Sequence, residues 1–153
     1  MADIDHRLMV PPFLRVMEQR RSTSGGETFL WDLRVAQPNV SSIAMPTVHS
    51  LEHFLSSELR SKSPKVLAVA PMGCQTGFYI VAIDIGDYDE MSRLLATALE
   101  AVLVASEVPL ANDVQCGWAQ NHSLVGAQRV AAWLLDHRGQ WRNAGMTGDD
   151  GGS

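Results

Sequence analysis

The segment His49-Ser50-Leu51-Glu52-His53 holds the densest chemistry in the chain. It reads H-x-x-E-H within a stretch of helical patterning. On a helix, positions i, i+3 and i+4 share one face, so two imidazoles and a carboxylate point at a common spot. Two neutral imidazoles can hold one divalent metal, and a carboxylate beside it can move protons. The alternative is a pair of surface histidines beside an acidic residue, with no shared task.

Two histidines need at least one further protein donor to hold a catalytic ion. Cys116, in Gln115-Cys116-Gly117-Trp118, follows a loop rich in Pro, Asn and Asp and is a candidate. Gly117 would let the backbone approach a bound ion. A thiolate with two imidazoles leaves a fourth position open, and soft sulfur with nitrogen favours Zn²⁺ or Fe²⁺ over Mg²⁺ or Ca²⁺. Cys74 stands in a turn between two apolar runs, with Gly73 before it and Gly77 after it. A turn exposes a thiol, and nearby positive charge would lower its pKa and fit it for acid/base work. For each cysteine the competing reading is a packed, inert thiol. Inverted zinc proteases also carry H-x-x-E-H, with a distal Glu as third ligand. Glu100 and Glu107 are the residues to propose for that role, but their segment reads as ordinary amphipathic helix and the chain is far shorter than those enzymes.

The elements that must position these residues follow from the hydrophobic pattern. Residues 1–13 read as irregular around Pro11-Pro12, and Ser22 to Gly26 as a turn. Glu27 to Val35 alternates as a strand, with Phe29, Trp31, Leu33 and Val35 on one face and Leu30, Asp32 and Arg34 on the other. The metal helix is expected from near Thr47 to Ser63-Pro64. Strands follow at Lys65 to Ala70 and Thr76 to Ile85. A helix over roughly Asp89 to Ser106 is capped by Asp87 or Asp89, and a last helix by Ser123. This order predicts an α+β domain, a mostly antiparallel sheet with helices packed on one face. One domain is expected over residues 1–142, with a disordered Gly-rich tail over 143–153.

Composition narrows the function classes. A net charge of −5 and the lack of a basic stripe argue against nucleic acid as a partner. No apolar run approaches the ~18 residues of a spanning helix, and no signal peptide is visible. The expectation is a cytoplasmic protein without membrane contact, whose two cysteines remain thiols. A charged fraction of only 19% hints at a buried dimer surface.

Several segments in register resemble the S-ribosylhomocysteine lyase (LuxS, autoinducer-2 synthase) family. They are Asp5-His6, Trp31-Asp32-Leu33-Arg34, Gln37-Pro38-Asn39, the His49 to His53 motif, Pro71-Met72-Gly73-Cys74-Gln75-Thr76-Gly77-Phe78-Tyr79, and Gln115-Cys116-Gly117. The resemblance implies a small α+β homodimer with active sites at the subunit interface, holding Fe²⁺ that Zn²⁺ or Co²⁺ can replace. It implies His49, His53 and Cys116 as ligands, and Cys74 and Glu52 as the general acid/base pair. His6 and Arg34, with Asp32 beside Arg34 and Arg60 further along, are the implied substrate contacts. The implied reaction walks the carbonyl of an open-chain sugar thioether from C1 to C3 and then eliminates homocysteine. Two positions depart from the family pattern. Met1 stands where a Ser is usual, and Ala68 where an Asp is usual near the amino-acid end of the substrate. The second departure leaves open an alternative, the same metal-dependent isomerisation on a different sugar-like substrate.

Overall fold

The computed structural model describes residues 4–145. Its elements are strand β1 (Phe13–Arg21), strand β2 (Glu27–Arg34), helix α1 (Met45–Lys62), strand β3 (Val66–Pro71), strand β4 (Gly77–Ile83), helix α2 (Tyr88–Val104) and helix α3 (Leu124–Asp136). The four strands form one sheet in the order β1-β2-β4-β3. Every neighbouring pair is antiparallel, which is the α+β architecture expected.

Strand β1 was not anticipated. Its register with β2 shifts between Val16 and Glu18, so the polar/apolar alternation breaks in mid-strand. Its far end, Gln19-Arg20-Arg21, is exposed, and its charges suit an edge strand. Leu14 alone places a fully buried side chain of this strand in the main core.

On the core face, Leu33, Trp31 and Phe29 of β2 pair with Phe78, Ile80 and Ala82 of β4. All six are buried. Helix α1 lays Leu51, Phe54, Leu55 and Leu59 onto this layer, and α2 and α3 close it with Met91, Leu95, Leu99, Ala127 and Leu134. Burying a side chain of this size contributes about 1.5–3 kcal/mol. Leu51 and Leu55 therefore fix the rotation of α1, leaving His49, Glu52 and His53 on its half-buried side. Helix α1 starts two residues earlier than expected. Pro46 sits in its first turn with no side-chain cap, a position where the fixed φ of proline is pre-organised. Asp87 caps α2 and Ser123 caps α3, each accepting a backbone N–H of its first turn.

Among the described residues, the opposite face of the sheet carries no helix. Val81 and Tyr79 of β4 are half-buried there beside Leu30 of β2, while Ala68 and Ala70 of β3 are exposed. At one end of this face Asp32 is fully buried and Arg34 only 3% exposed.

The two ends of the described chain meet. The backbone N–H of Leu14 donates to the carbonyl of Trp141 at 2.7 Å, and that of Val10 to the carbonyl of Ala144 at 3.2 Å. Ile4, Met9 and Phe13 form a second small apolar cluster, with Ala144 packed on it. Asn143, Ala144 and Gly145, the first residues of the expected tail, are among the described residues. Residues 146–153, the rest of that tail, and Met1 lie outside the described residues. Among the described residues no helix is long and apolar enough to cross a membrane.

Candidate active site and metal centre

His49 and His53 lie one turn apart on α1 and meet two residues of the long loop before α3. The donor atoms of His49, His53, Cys116 and His122 all lie within 4.8 Å of one another. The loop is built to bring Cys116 here. The Asn112 side chain accepts the N–H groups of Val114 and Gln115, and the Asn112 carbonyl accepts that of Cys116. This tight turn delivers the thiol to the helix. A Cβ added at Gly117 would meet nothing within 4 Å, so the expected steric reason for that glycine is not found in this chain.

The protonation pattern of two rings is fixed by backbone. His49 Nδ1 lies 2.8 Å from the carbonyl of Asn121, and His53 Nδ1 lies 2.7 Å from that of Pro109. A carbonyl can only accept, so each Nδ1 carries a proton, and in the neutral ring each Nε2 then presents a lone pair. The His49 Nε2 to Cys116 Sγ distance is 3.5 Å. Two donors on one tetrahedral ion, with bonds of ~2.1 Å to nitrogen and ~2.3 Å to sulfur, stand about 3.6 Å apart. The donor set therefore fits a divalent ion that accepts nitrogen and sulfur.

His122 was missed by sequence reasoning. Its ring stacks on His49 with centroids 3.9 Å apart, and its Nε2 lies 3.4 Å from Cys116 Sγ. Burial first, and then the proximity of the His49 and His53 rings, pushes its pKa down to about 4. The available signal was its place immediately before the Ser123 cap and six residues after Cys116.

Glu52 lies on the same side of α1 as His49 and His53. With His53, Ser56, Ser57, Arg60, Leu110 and Gln115 it lines a cavity of about 190 Å³. Arg60 is exposed at the last turn of α1. Neither Glu100 nor Glu107 belongs to the donor cluster.

Cys74 occupies the turn between β3 and β4. Met72 donates its N–H to the carbonyl of Gly77, and Gln75 to that of Met72. Gln75 adopts a left-handed φ of 60°, held in place by reciprocal bonds with the backbone of Ile43. Gly77 is required here, because a Cβ would stand 2.4 Å from the carbonyl oxygen of Leu33. The turn leaves Cys74 exposed. Beneath it, the Asp32 carboxylate accepts two bonds from Arg34, and Arg34 donates to the Thr76 hydroxyl at 3.0 Å. That hydroxyl is then free to donate to Cys74 Sγ, 2.9 Å away. Burial pushes the Cys74 thiol up, but the Thr76 hydrogen bonds and the Arg34 charge outweigh it, and the thiol lies below its ordinary value. His6, exposed in the turn His6–Leu8, lines with Cys74, Thr76 and residues 38–42 a cavity of about 580 Å³.

The expected site residues therefore fall into two groups within one chain. His49, His53, Cys116, Glu52 and Arg60 gather around the candidate metal cluster and the cavity beside it. His6, Cys74, Arg34 and Asp32 gather around the turn. No residue lines both cavities. Ala68 belongs to neither lining. It is exposed on the open face of the sheet, opposite Val81.

Relatives match this chain over most of its length. A protein named S-ribosylhomocysteine lyase from Listeria monocytogenes serotype 4b is 44% identical over 141 residues, covering 92% of this chain and 91% of its own. One of the same name from Oceanobacillus iheyensis is 42% identical over 139 residues, 91% of each chain. Another from Dichelobacter nodosus is 44% identical over 139 residues, 91% of this chain and 90% of its own. The family model described as S-Ribosylhomocysteinase (LuxS) matches residues 2–144, from before the His6 turn to beyond α3. With both residue groups inside that span, the chain belongs to the S-ribosylhomocysteinase (LuxS) family.

Proposed function

We propose that this protein cleaves S-ribosylhomocysteine to homocysteine and a dihydroxypentanedione, the precursor of autoinducer-2. The observation that carries the reading is the convergence of the His49 and His53 Nε2 lone pairs with the Cys116 sulfur beside Glu52. A divalent cation held there, Fe²⁺ with Zn²⁺ or Co²⁺ as substitutes, supplies Lewis acidity that acidifies the C–H bonds next to the substrate's carbonyl and hydroxyl oxygens.

The chain's own residues then move protons. A base takes the C2 proton, and the proton is returned at C1, which converts the C1 aldehyde to a C2 ketone. The same exchange between C3 and C2 places the ketone at C3. Removal of the C4 proton expels the homocysteine sulfur from C5. The thiolate takes up a proton and the remaining enol becomes the second ketone. Each proton removed is returned, so no redox cofactor enters. Cys74, its thiol lowered by Thr76 and Arg34, and Glu52 are the two carriers. His6, Arg34, Asp32 and Arg60 position the sugar and the amino-acid end.

One chain holds its two proton carriers in separate cavities. This supports a homodimer in which Cys74 of one protomer works over the metal of its partner. The helix-free sheet face, with Leu30, Val81 and an Ile83 that is 36% exposed, offers an apolar surface for a second copy. The reducing cytoplasm is the compartment in which both thiols persist.

The test is release of free thiol from S-ribosylhomocysteine by protein loaded with Fe²⁺ or Co²⁺. Release is expected, with loss in Cys74→Ala and Glu52→Gln. Metal bound without thiol release, and with a sugar isomerised instead, would support the alternative substrate that Ala68 raises.

A further inference from the structure

The three imidazoles around Cys116 are not equivalent. His49 and His53 each give their Nδ1 proton to a backbone carbonyl and so offer a lone pair at Nε2. His122 is held differently. Its Nδ1 faces the hydroxyl of Ser50 at 3.0 Å. Ser50 is fully buried, and its oxygen already accepts the backbone N–H of Ser123 at 2.8 Å. Among the described residues, His122 Nδ1 is the acceptor within reach of the Ser50 proton. A buried hydroxyl keeps its proton bonded, so Ser50 donates to Nδ1. The ring proton of His122 must then sit on Nε2, the atom 3.4 Å from Cys116 Sγ.

We propose that His122 is a hydrogen-bond donor to the Cys116 thiolate, locked in that tautomer by Ser50, and not a fourth metal ligand. This rests on the metal-site reading above. Four protein donors would close a tetrahedral site, as in structural zinc centres, whereas three leave a position for substrate. An N–H···S bond also draws charge from the sulfur, so the ion keeps more of its Lewis acidity. Ser50 is the second residue of H-S-L-E-H. The motif thus sets Glu52 on one flank of His49 and His53 along α1, and on the other flank the hydroxyl that sets a third ring. His122 is a positioning residue.

Two measurements test this. Long-range ¹⁵N–¹H correlation spectra of the metal-free wild-type protein report each imidazole tautomer directly. The expected pattern is an Nδ1 proton on His49 and His53 and an Nε2 proton on His122. A lone pair at His122 Nε2 would overturn the proposal, whether or not the metal reading survives. The second measurement is Co²⁺ titration followed by optical spectra. Failure of wild type to bind Co²⁺ would sink the metal reading, and this inference with it, even with the tautomers as expected. His122→Phe is expected to bind one Co²⁺ about 10–100-fold more weakly. Its sulfur-to-cobalt charge-transfer band should move to lower energy, with the d–d bands of the same coordination number retained. His122→Gln, whose amide N–H reaches the place of Nε2–H, is expected to restore both affinity and band position. A change of coordination number in His122→Phe, or X-ray absorption counting three imidazoles on Zn²⁺ in wild type, would make His122 a ligand and end the proposal.

Discussion

The hydroxyl oxygen of Thr76 lies 2.9 Å from the sulfur of Cys74. Because Arg34 donates to that same oxygen, the Thr76 proton is directed at the sulfur, and the charge of a buried guanidinium reaches that sulfur through one hydroxyl.

Thr76→Val removes that relay while nearly conserving shape. The Cys74 thiol should titrate at higher pH than in wild type, while Thr76→Ser should leave it close to wild type. Iodoacetamide alkylation rate against pH reads this directly, and identical midpoints in wild type and Thr76→Val would refute the relay. The sign also bears on stability. A thiol whose folded pKa is lowered stabilises the fold above its unfolded value, and that contribution fades as pH falls through the lowered folded value. Thr76→Val should therefore lose stability relative to wild type on the alkaline side, as followed by urea melts at several pH values.

Mixing two inactive variants tests the shared site. Cys74→Ala retains Glu52, and Glu52→Gln retains Cys74. If each site draws one from each protomer, random reassortment gives half heterodimers with one intact site of two, so about a quarter of wild-type activity should return. Thiol release after co-refolding of the pair is the assay, and a dead mixture that forms heterodimers would place both carriers in one chain.

Metal removal should loosen one loop selectively. Residues 105–123 hold no regular helix or strand, yet they supply Cys116 and the carbonyls of Pro109 and Asn121 that grip α1. A metal present at 100 times its dissociation constant stabilises the folded state by about 2.7 kcal/mol. Chelation should lower the melting temperature and open this loop to protease before the sheet. An unchanged cleavage pattern with metal removed would count against the cross-link.

Restoring a carboxylate at Ala68 tests the substrate end. The position is exposed, so Ala68→Asp should fold normally. A charged hydrogen bond to the substrate ammonium is worth about 1.5–3 kcal/mol, so KM for S-ribosylhomocysteine should fall by ~10–150-fold with little change in kcat. An unaltered KM would mean that the amino-acid end is held elsewhere in this protein.

Much of the site was legible because helical and strand periods place side chains predictably. His49, Glu52 and His53 fell on one side of α1 as spacing required, and Cys74 lay in an exposed turn as Gly73 and Gly77 suggested. Strand β1 was not legible, since the bulge at Val16 and Glu18 erased its alternation. His122 was also hidden, because its link to Cys116 and Ser50 runs through a loop path that no period describes. Asp32 and Arg34 were read as sharing a face. That they are buried beneath Cys74, joined to it by Thr76, depends on the register of β2 against β4.

The bonds joining Leu14 to Trp141 and Val10 to Ala144 have a practical bearing on how the chain can be handled. The wall of the cavity formed by His6 hangs from the segment just before Val10, so its placement depends on residues at the far end of the sequence. A C-terminal deletion reaching Trp141 would act as an N-terminal lesion, and a fusion partner attached too close to Ala144 would blunt the Cys74 pocket without touching a catalytic side chain.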